Sequence, residues 1–124
     1  ADVAPLARIE RFFTAVYDYH RQVREATGHV LGCPFGNLAG ELGSQDEQVR
    51  ERIDGIFRQA EAAIEQALRD AVAVGELPDI DTAAAARAIF AYAEGLILTA
   101  KTRNDAELIR DLGRRAVQLA AHTD

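Results

Sequence analysis

The chain has 124 residues, enough for one domain of ordinary size and hardly for two. Good helix formers dominate and only three prolines interrupt it. No stretch alternates polar residues with β-branched or aromatic ones, so a β architecture is set aside. A net charge of −6 and a pI near 5.0 argue against a basic DNA-binding face on this segment.

The first expected helix runs from about Pro5 to Thr27, with proline in its first turn and Gly28 as its stop. Leu6, Ile9, Phe13, Val16 and Val23 form its apolar stripe, widened by Phe12, Tyr17 and Tyr19, and His20 falls on that stripe. Residues 28–35 read as a loop punctuated by Gly28, Gly32 and Pro34. A short helix over about 36–42 carries Leu38 and Leu42, and Gly43 ends it.

Ser44 or Asp46 caps the third helix, with Glu47 three residues after Ser44 as in a capping box. This helix, about 46–74, bears an unbroken stripe that includes Val49, Ile53, Ile56, Phe57, Ala60, Ile64 and Leu68. Gly75 closes it and a turn containing Pro78 follows. Asp81 or Thr82 opens a fourth helix ending near Arg103, and Asn104 or Asp105 caps a fifth that runs to about Ala121. The expectation is a single all-α, five-helix domain covering residues 1–124.

The fourth helix carries the most information. Between Ala83 and Thr102 its only charges are Arg87, Glu94 and Lys101, seven residues apart and therefore on one narrow stripe. A helix packed on one core shows a broad polar face, and this one has none. Two partners are then needed: the fold itself and a second copy of the chain. Ala84, Ala88, Ala91, Gly95 and Leu98 are the contact positions on this helix. Leu108, Leu112, Ala116 and Leu119 are those on the fifth, and the pair from each subunit would make an intersubunit four-helix bundle. The alternative is that this helix is central in a monomer.

The segment Gly32-Cys33-Pro34-Phe35-Gly36-Asn37-Leu38-Ala39-Gly40-Glu41-Leu42, followed by a charged helix, resembles the C-terminal domain of TetR/AcrR-type transcriptional regulators. So do the Gly75-Glu76-Leu77-Pro78 turn and the Ala-rich helix containing Glu94-Gly95. The likeness covers about residues 5–121. It implies that the last two helices form the dimer interface and that an effector pocket lies among the preceding ones. It further implies that an N-terminal helix-turn-helix head, expected to be absent from this chain, is the part that binds DNA. Effector binding would control that head allosterically.

Applied to this sequence, the pocket for a small, mostly apolar effector draws on Phe13, Tyr17, His20, Phe35, Leu38, Phe57, Ala60 and Ile64. The same residues also read as ordinary core, and His20 as a histidine satisfied by a backbone partner. Cys33 follows His29 by four residues, but Gly32 and Pro34 break any helix there and further ligands are lacking, so no metal site is expected. No Gly-rich phosphate loop, HExxH or GxSxG is present, and neither catalysis nor a cofactor is expected. A lone cysteine, no secretory signal and uncharged runs as short as residues 95–100 point to a cytoplasmic protein that does not span a membrane. A ligand-free helical dimerisation module is the competing reading.

Overall fold

The computed structural model describes residues 3–121, with Ala120 by its backbone only. Its elements are α1 (Pro5–Thr27), α2 (Pro34–Leu42), α3 (Glu47–Ala73), α4 (Thr82–Arg103), α5 (Glu107–Gly113) and α6 (Ala116–Ala121). The all-α class expected from the sequence is found. The helix count differs: the fifth expected helix is divided at Gly113–Ala116, giving six among the described residues.

Local chemistry accounts for the boundaries. Pro5 occupies the first turn of α1, and Gly28, at φ 82°, closes it in the left-handed region that glycine adopts without strain. Asp46, not Ser44, caps α3 through a 3.1 Å bond from Val49 N–H to its carboxylate. Asp81 does the same for α4, accepting from Ala84 N–H at 3.0 Å. Such caps satisfy donors that the first turn of a helix leaves open, each stabilising by about 1 kcal/mol.

Asn104 ends α4 in the left-handed region at φ 52°, a conformation that asparagine tolerates better than most residues. Its side chain also reaches across the fold. The amide oxygen accepts from Val30 N–H at 2.8 Å, and the amide nitrogen donates to Gly28 O at 3.0 Å. Arg24 donates to the Asn104 carbonyl at 3.1 Å. One residue therefore ties the end of α1 and the α1–α2 loop to the corner between α4 and α5.

The division of the last helix has a similar cause. Tyr92 on α4 donates its hydroxyl to the Leu112 carbonyl at 2.7 Å, which also accepts from Arg115 N–H at 3.0 Å. Gly113 is buried against Phe13, and a Cβ built there would lie 3.1 Å from the ring. The chain thus bends where it touches both α1 and α4.

The core is built around α4, which packs on α3, α5 and α6, while α1 lies across α3 and α5. Ile9, Leu68, Ile89 and Ile109 are its largest fully buried side chains. Burying each stabilises by about 1.5–3 kcal/mol relative to exposure. By length and composition α4 would pass for a membrane span, but eight of its residues, from Ala85 to Ala100, are buried inside this domain.

Candidate functional site

Among the described residues, one hollow lies between α1 and α5 and another beside α2. The larger, about 380 Å³, is a groove between α1 and α5 that includes Glu10, Phe13, Tyr17, Ile109, Arg110 and Gly113. Tyr17 and Arg110 in its wall are engaged in contacts within the fold. The Tyr17 hydroxyl donates to the Glu107 carboxylate, which pushes the phenol above its ordinary pKa, and the Arg110 guanidinium lies 5.9 Å from the Tyr17 ring centre.

The second hollow, about 300 Å³, is a cleft where the α1–α2 loop and α2 meet α3 and α4. Phe57, Ala39, Ile97 and Leu98 supply its apolar walls, and Cys33, Asn37, Glu94 and Lys101 its polar groups. An apolar hollow with a few convergent polar groups is the usual form of a small-molecule site.

Glycines make this cleft possible. Gly36 stands in the first turn of α2, and a Cβ there would lie 2.8 Å from Glu94 Oε1. Without a side chain at 36, the carboxyl rests against the start of α2, where the helix dipole favours negative charge. Gly32, at φ 85°, lets the Lys101 stem cross it. Lys101 then donates to the Asn37 amide oxygen at 3.1 Å, while the Asn37 nitrogen donates to Leu31 O at 2.8 Å.

The electrostatics of the cleft are those of a partly dry site. Burial pushes the Glu94 carboxyl above its ordinary value, against the opposing pull of the Cys33 thiol and of His20. Burial also pushes the Cys33 thiol up, opposed by a backbone hydrogen bond from Gly36 and reinforced by the Glu94 charge. Cys33 is thus held as the thiol, with its sulfur accepting from Gly36 N–H at 3.4 Å as the cap of α2.

His20 is 4 % exposed. Its Nδ1 donates to the Val16 carbonyl at 2.7 Å, and Nε2 has no protein partner among the described residues. An unmet buried polar atom of this kind costs about 1–3 kcal/mol.

The eight residues expected to line one pocket are spread over the fold. Phe13 and Tyr17 border the α1–α5 groove, and Phe57 borders the cleft, its ring 4.9 Å from that of Phe90. Ile64 is buried in the core and Ala60 packs at its edge. Phe35 and Leu38, at 45 % and 39 % exposure, stand on the outer surface of α2. Cys33, Asn37, Glu94 and Lys101, the polar groups that the structure gathers at the cleft, are not among the eight expected lining residues. The seven-residue spacing of Glu94 and Lys101 on a sparsely charged helix is the signal that the sequence offers.

A model of the family described as the tetracyclin repressor-like, C-terminal domain matches residues 5–117. The chain belongs to that family. Two curated relatives agree. An HTH-type transcriptional regulator from the lacX 3′ region of Lactococcus lactis subsp. lactis is 30% identical over 111 residues, which is 87% of this chain and 52% of that protein. The transcriptional regulator AcuR of Cereibacter sphaeroides is 36% identical over 100 residues, 80% of this chain and 44% of that protein. The chain thus spans about half the length of the relatives it matches. No solved structure matches.

For a tetracyclin repressor-like domain, the surface of α4 is the other feature of interest. Ala88, Ala91, Gly95 and Leu98 are all exposed, Leu98 by 60 %, and Ala84 is part-buried at the head of the same row. On the last two helices Leu119 is 52 % exposed, Leu108 and Leu112 are part-buried, and Ala116 is enclosed by the chain's own fold. One side of α4 is thus core and the other is an uncharged row that the described residues leave bare.

Proposed function

We propose that this chain is the effector-sensing and dimerisation part of a transcriptional regulator. A small, largely apolar molecule occupies the Glu94 cleft, and the domain pairs with a second copy through the bare row of α4 together with the end of α6. In the longer proteins of this family the pair sets the spacing of two helix-turn-helix heads, so that occupancy of the cleft shifts their affinity for DNA. The reading places the protein in the cytoplasm and gives it no catalytic role.

The observation that carries this reading is the combination of apolar walls and a half-buried carboxyl, its pKa raised by burial, in one cleft of a regulator-family domain. A packed core with no such hollow would favour a module that only dimerises.

The test is thermal unfolding of the chain with a panel of small apolar compounds bearing one carboxyl, hydroxyl or amine. A ligand present at a hundred times its Kd stabilises by about 2.7 kcal/mol, which is easily read as a rise in Tm. We expect at least one of these classes to raise Tm in the natural chain and not in Ala39→Leu, which fills the cleft. If no class raises Tm, the effector half of the proposal fails and the dimerisation module remains. Light scattering across a wide concentration range addresses the other half: the expected mass is twice 13.5 kDa, and a monomer at every concentration refutes pairing.

A further inference from the structure

We infer that the Glu94 cleft is incomplete in one chain and is roofed by the second copy, so that occupying the cleft and forming the dimer are coupled. This inference rests on the pairing proposed above. Gly95 and Leu98 belong both to the bare row of α4 and to the lining of the cleft. The cleft therefore opens at the edge of the pairing face, and not on the far side of the domain.

The row is built to receive a copy of itself. Positions 84, 88, 91, 95, 98 and 102 are symmetric about the midpoint between Ala91 and Gly95. An antiparallel two-fold pairing about that point sets Ala91 opposite Gly95 of the partner subunit. It also sets Leu98, the largest exposed side chain of the row, opposite Ala88 of the partner subunit. Large then meets small at both ends of the contact.

Nothing lies within 4 Å of a Cβ built at Gly95, so a second helix can come close there. Helices in contact sit about 8–10 Å apart, and their side chains reach over the neighbouring turn. At that distance the start of the partner's α4 covers Leu98 and the adjoining mouth of the cleft. By reciprocity, whatever strengthens pairing then tightens the hold on the cleft's occupant, and the occupant strengthens pairing.

Cys33 lines this cleft and is the sole cysteine in the sequence, so its reaction rate reports access without any known ligand. The experiment compares modification of Cys33 by dithionitrobenzoate, which is bulky, and by methyl methanethiosulfonate, which is small. Rates are measured as the natural chain is diluted through its dimerisation midpoint, and again in Ala88→Glu, a row variant outside the cleft. We expect pairing to slow the bulky reagent by roughly tenfold or more, since reaction then waits on a transient opening. The small reagent is slowed much less, whereas a general loss of local unfolding would slow both alike. Equal bulky-reagent rates in dimer and monomer, or equal slowing of the two reagents, overturn the inference while leaving the dimer intact. Light scattering that finds only monomer overturns the pairing itself.

Discussion

Replacing Asn104 by glycine tests whether one side chain holds the junction between the two halves of the fold. Glycine keeps the left-handed backbone at φ 52° without steric cost, so only the amide is lost. Val30 N–H then loses its 2.8 Å acceptor at a residue that is 3 % exposed. A buried donor left unmet costs about 1–3 kcal/mol, and the lost bond to Gly28 O adds up to about 1 kcal/mol. With the extra freedom of glycine in the unfolded chain, the loss comes to about 3 kcal/mol, a fall of roughly 10 °C in Tm for a domain of this size. Asn104→Asp retains an acceptor for Val30 and surrenders only the donor to Gly28, so its loss is expected to be about half as large. The assay is thermal and urea unfolding by far-ultraviolet circular dichroism at one fixed protein concentration, because pairing makes Tm concentration-dependent. Equal losses in the two variants, or a glycine variant within about 0.5 kcal/mol of the natural chain, would refute the reasoning.

Two further substitutions probe the cleft and the bend. Glu94 has its folded pKa raised by burial, so its favourable contribution is full below the ordinary carboxylate range and is lost as pH rises through the raised value. Glu94→Gln is therefore expected to be more stable than the natural chain at about pH 7 and to lose that advantage towards about pH 4, read from Tm against pH. A constant difference across the range contradicts the desolvation argument. Tyr92→Phe removes the side-chain donor to the Leu112 carbonyl, which keeps backbone N–H donors such as Arg115, and the cost is about 0.5–1.5 kcal/mol. Faster amide hydrogen exchange should be confined to α5 and α6, and a uniform increase over all helices would argue against the local role.

Most of the fold was legible because its punctuation is local. Pro5, Gly28, Asp46, Gly75, Asp81 and Asn104 act within a turn of themselves, and the structure places a helix boundary at each. The bend after Gly113 was not legible, since it depends on Tyr92 and Phe13, which are distant in sequence and arrive only when the chain is folded. The candidate site divides the same way. The uncharged character of α4 could be read directly, and its bare row is the structural counterpart of that reading. The company of Glu94 could not, because Cys33 and His20 are brought to it by the crossing of α1, the loop and α4. Residue types gave no hint of that meeting; Gly32 looks like an ordinary loop residue and Gly36 like an ordinary helix start.

The length of α1 has a mechanical consequence. A helix of 23 residues is a rod of about 35 Å, and the Asn104 knot pins it near its C-terminal end. His20, beside that pinned end, is also a residue of α1 that acts on the Glu94 carboxyl. Rotating such a rod by one degree about the pin displaces its far tip by about 0.6 Å. The first turns are held by Ile9, buried in the core, by part-buried Leu6, and by two exposed polar contacts, Arg8 to Asp70 at 2.6 Å and Leu6 N–H to Glu76 at 3.1 Å. Exposed ion pairs are worth little and re-form readily. A rotation at the pivot therefore reaches Pro5 only as far as the packing of Ile9 and Phe13 in the core yields to it.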